Sequence, residues 1–436
     1  MQYCASSRHG GIRFPWKKSF ITLVALSVLI PRIGSGESGL RVNFINKNPD
    51  YGSAQIYVAF GGQSNPARLV GKIVNGAGLS LGTNYALTDL QTGVHLTRFV
   101  GGRICFSLGT PFRSMKPGNA NNPNFNNPSL PDFNIRWDKA EITYDVGDPH
   151  SGINLSATDF LSVRLKIQTY HAGSLVTTLT WQAPIATVFH NAGLLTGFSR
   201  DAVCSDDKNG VPTEGLTPRD IIKVVRVIAP STIPAAVVNP YPSLQPYIDH
   251  VKANAITTTI EGTFNTVTTY KFTAMIDSAG ALVMTGTITT NSVPQSHVIV
   301  IRSSELERGI YTADPLCNVD GVDKHVGNDA FGSTVRDVLA GFSLGFIGSK
   351  EQNPNAPGKT FGNSPSYQWY TPNKLPTKYA FQGAQPEHTF YNQYAAYLAT
   401  VTDAYGFPFT DLTQSPLASL NPGNIDRMDI TVLPDK

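Results

Sequence analysis

NLSATDFLSVRLKIQ, Asn154 to Gln168, constrains this chain more than any other stretch. Ile153, Leu155, Ala157, Leu161, Val163, Leu165 and Ile167 hold the odd positions. Asn154, Ser156, Thr158, Ser162, Arg164, Lys166 and Gln168 hold the even ones. Successive side chains of a strand point to opposite faces, so this parity predicts one long strand with an apolar and a polar face. Asp159 alone breaks the apolar register. A carboxylate there either serves a site or sits at a bulge and caps backbone amides.

Similar short runs surround it. LRVNFIN, QIYVAFGG, ARLVGKIV, RICFSLG, AEITYD and LVTTLTWQ lie between Leu40 and Gln182. Strands at that spacing predict a β-sandwich or barrel. PGNANNPNFNNPSLPDFN, Pro117 to Asn134, interrupts them as a long irregular loop. After about His190 the pattern mixes. SLQPYIDHVKANA, NDAFGSTVRDVLAGFSLGFIG and EHTFYNQYAAYLATVTDAYG read as helices, with Val335, Val338, Leu339 and Phe342 at helical spacing. TTTIEGTFNTVTTYKFTAMID and ALVMTGTITT read as strands. The tail IDRMDITVLP alternates again, as a last strand rejoining the first sheet. The expected fold class is therefore mainly β with an α/β part. Residues 37–190 with 400–436 form the first unit and residues 191–399 the second.

The N-terminus reads as a secretory leader over residues 1–36. Arg8, Arg13, Lys17 and Lys18 precede the apolar run Phe20 to Ile30, and PRIGSGES follows. That run is too short to span a bilayer comfortably. The expectation is an extracellular protein without membrane contact after cleavage. The leader holds five basic residues, Arg32 included, and no acid. Removing those five from 34 leaves 29 basic against 31 acidic residues, a net charge of −2. No basic run remains for nucleic acid.

Cys105, Cys204 and Cys317 follow the leader, which allows at most one disulfide. The nine histidines make no metal-binding pattern, and no cofactor motif occurs. GFSLG, Gly341 to Gly345, is a formal G-x-S-x-G. An esterase elbow needs a strand before that motif and a helix after it. Here a helix precedes it, so a glycine-capped helix end is expected. Trp137 and SYQWYTPN, Ser366 to Asn373, supply aromatics that either stack on sugar rings or fill the core.

The first candidate for chemistry is the carboxylate pair Glu141 and Asp159. In AEITYD, Ile142 and Tyr144 face one way, while Glu141, Thr143 and Asp145 face the other. VGDPHSG turns the chain back toward Asp159. Two carboxylates facing each other suit glycoside hydrolysis, one as acid and one as base or nucleophile.

The ordered segments RICFSLG, the Asn/Pro loop, AEITYD and NLSATDF resemble those of glycoside hydrolase family 64. There the order is roughly GRIYFS, NP, VEFTYD and NISYVDF. VIAP with PYIDHV, IRSSELERGIYTADPLCN and AYGFPFTDL extend the likeness over nearly all the chain after the leader. The resemblance implies a thaumatin-like β-sandwich or barrel beside a mixed α/β domain, with a wide groove between them. It implies an endo-β-1,3-glucanase that inverts the anomeric centre and works on β-1,3-glucan; the leader makes secretion the expectation, and a monomer is the default. Glu141 falls on the general acid and Asp159 on the general base. Thr143 and Asp145 would line the substrate groove and Asp411 would bind sugar hydroxyls, with Trp137 the aromatic candidate for the same groove. Thr410 departs from the family, which has an Asp there, and Ser343-Leu344-Gly345 replaces Asn-Arg-Gly. The Thr410 change keeps a second reading open, a non-catalytic glucan-binding protein of the same fold.

Overall fold

The computed structural model describes residues 39–62, 68–119, 122–205, 224–370, 377–412 and 417–436. The leader expected over residues 1–36 lies outside the described residues.

Eleven strands build the main sheet: β1 (Leu40–Asn46), β2 (Ile56–Gly62), β3 (Arg68–Ile73), β4 (Asn84–Ala86), β5 (Val94–Leu108), β6 (Trp137–Asp145), β7 (Gly152–Leu155), β9 (Leu165–His171), β10 (Ser174–Leu179), β19 (Leu417–Ser419) and β20 (Arg427–Val432). Along its main path the order is β10-β9-β20-β1-β5-β6-β7-β19, with β2, β3 and β4 branching from β5 and from each other. The long β5 is the hub of this sheet. One of its edges takes β1 and then β6, and the other takes β3 and then β2. A register shift between Phe99 and Gly102 bends it. Two glycines make the bend feasible. Gly101 adopts a φ of 61°, and a Cβ on Gly102 would fall 2.3 Å from the Phe99 ring. The tail strand β20 pairs parallel with β1 and antiparallel with β9, so it does rejoin the first sheet.

Period-two burial explains the core. Leu40, Val42 and Phe44 of β1, Ala140, Ile142 and Tyr144 of β6, and Met428, Ile430 and Val432 of β20 are all buried.

The single long strand expected from residue 153 to 168 is three short ones. After β7 the chain leaves the main sheet. β8 (Phe160–Leu161) joins β11 (Val203–Ser205) and β12 (Val224–Ile228) in a small sheet, and β9 then returns to the main one. Distant groups make the breaks. Tyr405 exchanges backbone bonds with Leu155 and Ala157, at 2.9 and 2.7 Å. The Asp138 carboxylate accepts the amides of Ser162 and Val163, at 2.9 and 3.1 Å. The odd-numbered apolar side chains are nonetheless all buried, as the parity requires.

A six-stranded antiparallel meander runs from β13 (Thr257–Asn265) through β14 (Thr268–Ile276), β15 (Leu282–Thr290), β16 (Val293–Ile301) and β17 (Leu316–Val319) to β18 (Val322–His325). In β14, Tyr270, Phe272, Ala274 and Ile276 are buried, and the residues between them are exposed. Among the described residues five α-helices accompany the sheets: α1 (Ile185–Leu195), α2 (Gln245–Ala253), α3 (Ser303–Thr312), α4 (Ala330–Leu344) and α5 (Gln393–Val401). α2 and α4 pack on the meander. Asp329 caps α4 by accepting the Gly332 amide at 2.7 Å, and Gly345 ends it with a φ of 82°. Among the described residues no helix is long and apolar enough to cross a membrane.

Candidate active site

β5 and β6 run antiparallel, with Arg103 directly opposite Glu141. On β6 the odd-numbered side chains share one face. Trp137 and Lys139 are buried there, and Glu141, Thr143 and Asp145 emerge toward solvent. Asp159 lies between β7 and β8, where the chain crosses from the main sheet to the small one.

Arg103 links the two carboxylates. Its Nη2 donates to Glu141 Oε1 at 2.9 Å and to Asp159 Oδ2 at 3.4 Å. Those oxygens therefore lie no farther apart than the two distances laid end to end. Lys139 Nζ meets the same Asp159 oxygen at 3.1 Å and stands 4.4 Å from the centre of the Phe160 ring. Glu141 and Asp159 keep 15% and 21% side-chain exposure, whereas Lys139 keeps none. The Asp159 backbone is held from the far side. Its carbonyl accepts the Ala229 amide at 3.0 Å and the Thr232 hydroxyl at 2.6 Å, and Ser231 donates to the Thr158 carbonyl.

Burial and charge oppose each other at Arg103. Burial disfavours its charge, but Glu141 and Asp159 outweigh that and hold the guanidinium above its usual range. Beneath it, burial pushes the Cys105 thiol up to about 12. Burial also raises the Asp138 carboxyl to about 6, against the amides it accepts.

The remaining candidates separate. Thr143 and Asp145 share the Glu141 face as the parity predicts. The Thr143 hydroxyl accepts the Gly101 amide at 3.5 Å, and Asp145 pairs with Arg98 at 3.1 Å. Trp137 is no sugar platform. It is wholly buried, edge-on to Phe112 and Phe160 at 5.6 and 4.7 Å, because Phe160 of β8 closes over that end of the face. Trp369 is likewise core. Asp411 lies on the 3-10 turn Thr410–Leu412, but its side chain is outside the described residues. Thr410 is buried. Its hydroxyl accepts the Gly406 and Phe407 amides at 3.0 and 3.1 Å and locks that turn.

Ser343 is buried in the last turn of α4 and donates to the Ile310 carbonyl at 3.0 Å. A serine-directed organophosphate should leave this protein unmodified at Ser343, as intact mass would show. Cys105, Cys204 and Cys317 are free and buried. Among the described residues no group of His, Cys, Asp or Glu is placed to hold a metal.

The sequence reading missed both cations. Arg103 lay within the quoted RICFSLG segment, and Lys139 stands two residues before Glu141, on the same face. Their signal was parity.

The barrel-like sheet carries a half-buried carboxylate pair, and comparison with known proteins supplies the class. A family model described as β-1,3-glucanase matches residues 35–432. The chain belongs to glycoside hydrolase family 64, the β-1,3-glucanases. Its fold is shared with a β-1,3-glucanase domain from Clostridium beijerinckii, at 15% identity and a TM-score of 0.55, over 92% of this chain and 100% of that one. A laminaripentaose-producing β-1,3-glucanase in complex with laminaritetraose gives the same values. A laminaripentaose-producing enzyme from Paenibacillus barengoltzii follows at 14% identity and a TM-score of 0.50, over 91% and 75%. No curated protein matches the chain.

Proposed function

We propose that this chain is a secreted endo-β-1,3-glucanase that inverts the anomeric centre, with Glu141 as general acid and Asp159 as general base. The observation that carries the reading is the meeting of two carboxylates, from separate segments, at one guanidinium. A β-1,3-glucan chain would lie along the face of Glu141, Thr143 and Asp145, in a groove between the barrel sheet and the α/β part. The complex of a similar fold with laminaritetraose supports that class of ligand. The leader pattern supports export.

In this mechanism Glu141 gives its proton to the glycosidic oxygen as the bond to the anomeric carbon breaks. Asp159 takes a proton from the water that attacks the opposite face. Inverting enzymes keep their carboxyl groups about 6.5–9.5 Å apart to admit that water. The oxygens that share Arg103 lie within the two contact distances laid end to end, near the short end of that spacing.

NMR of newborn reducing ends during digestion of linear β-1,3-glucan tests the reading. α-Anomer should appear first. Early β-anomer would point instead to a double displacement. Binding to the polymer without cleavage would leave a glucan-binding protein.

A further inference from the structure

Lys139 is a side chain that the mechanism above does not use and that burial makes expensive. A lysine is almost never fully enclosed unless its charge is paired. Lys139 is 1% exposed, in the middle of β6. The apolar cluster around it contains Cys105, Trp137 and Phe160. Its ammonium makes no contact with hydrogen-bond geometry. It rests instead on the Asp159 carboxylate by charge, at 3.1 Å, and on the Phe160 ring by cation–π attraction, at 4.4 Å. A well-packed apolar residue of similar volume would serve stability as well or better. The position therefore spends stability on a charge aimed at Asp159.

We propose that Lys139 is a positioning residue for hydrolysis, an enclosed ammonium that fixes the Asp159 carboxylate and keeps it ready to accept a proton. This rests on the assignment of Asp159 as the base. Two features separate Lys139 from Arg103. Arg103 is shared with Glu141 and keeps some exposure, whereas Lys139 pairs with Asp159 and is sealed from solvent. The other groups around Asp159 are acidic or neutral. Glu141 shares Arg103 with it, and the buried Asp138 sits on the same strand as Lys139. The Tyr394 hydroxyl of α5, held neutral by burial, donates to the Ala157 carbonyl at 2.9 Å. Cys105, opposite Lys139 on β5, is likewise held neutral by burial.

Lys139→Met keeps most of the volume and removes the charge. Lys139→Arg keeps the charge. On soluble β-1,3-gluco-oligosaccharides, Lys139→Met should lower kcat at least tenfold with KM within twofold. The acid limb of its pH–rate profile should move up by about one unit or more, because the carboxylate loses an adjacent cation. Lys139→Arg should keep the wild-type acid limb and recover part of kcat. A purely structural lysine would lower the melting temperature and leave that limb in place. Wild-type kcat and acid limb in a folded Lys139→Met protein would overturn the proposal. Should that variant fail to fold, Lys139→Arg decides alone, and an upward-moved limb there would count against a role for charge. Asp159→Asn, assayed alongside, separates the two claims. If it hydrolyses like wild type, the base assignment itself has failed. If it is silent while Lys139→Met is unaltered, only the role of Lys139 has failed.

Discussion

Glu141→Gln and Asp159→Asn are each expected to lower kcat on β-1,3-glucan by roughly 10²–10⁴-fold, the usual worth of a positioned acid or base. The two losses should differ in kind. In the proposed mechanism Glu141 works on the leaving group, so an aryl β-glucoside whose phenolate departs without protonation should restore much of the Glu141→Gln rate. Asp159 would work on the water, so the same substrate should leave Asp159→Asn silent. Both substitutions are nearly isosteric and keep an oxygen for Arg103, so the ladder between β5 and β6 should survive and melting temperatures should stay near wild type. Equal recovery of both variants on the activated substrate would contradict the division of labour.

Arg226→Ala should be the most damaging change away from the carboxylates, lowering the unfolding free energy by about 3 kcal/mol or more in a urea melt. Arg226 is fully buried, and burial lowers its pKa to about 10, which still leaves it charged at neutral pH. It donates to the Phe125 carbonyl at 2.9 Å and to the Ile135 carbonyl, and lies over the rings of Phe133, Trp137 and Phe160. One guanidinium thus ties the Asn/Pro loop to β12 and to the aromatic plug behind Asp159. Removing it strands two acceptors and opens a cavity under three rings. Arg226→Lys cannot fork to both carbonyls and should recover little. The loop from Phe125 to Ile135 should become a preferred protease site in the variant. Unchanged stability and unchanged cleavage would remove Arg226 from this role.

The parts of the structure legible in the sequence are those set by local pattern. The β14 alternation, the α4 stripe with its Gly345 stop and the outward row of Glu141, Thr143 and Asp145 depend on neighbours along the chain. The illegible parts depend on partners far away in sequence. Nothing between 153 and 168 announces that Tyr405 and Asp138 will interrupt the strand. Trp137 and Glu141 share a face by parity, and groups arriving from elsewhere, Phe112 and Phe160 among them, make one core and leave the other half-buried. Lys139 passes unremarked in the sequence because lysine is usually a solvated residue. Thr410 reads as the loss of a sugar ligand, yet its hydroxyl is the lock of a turn.

The placement of β20 has a bearing on how the protein is made. It lies between β1 and β9, so Leu40–Asn46, among the first described residues, pairs along its length with Arg427–Val432. A ribosome must deliver the chain through Val432 before that seam can shut. Until then β1 and β9 present open edges, the kind that recruit other strands. Contacts this distant in sequence make for slow folding. The growing chain therefore has to wait with part of its interior uncovered, and its yield should depend on whatever shields those edges in the interval.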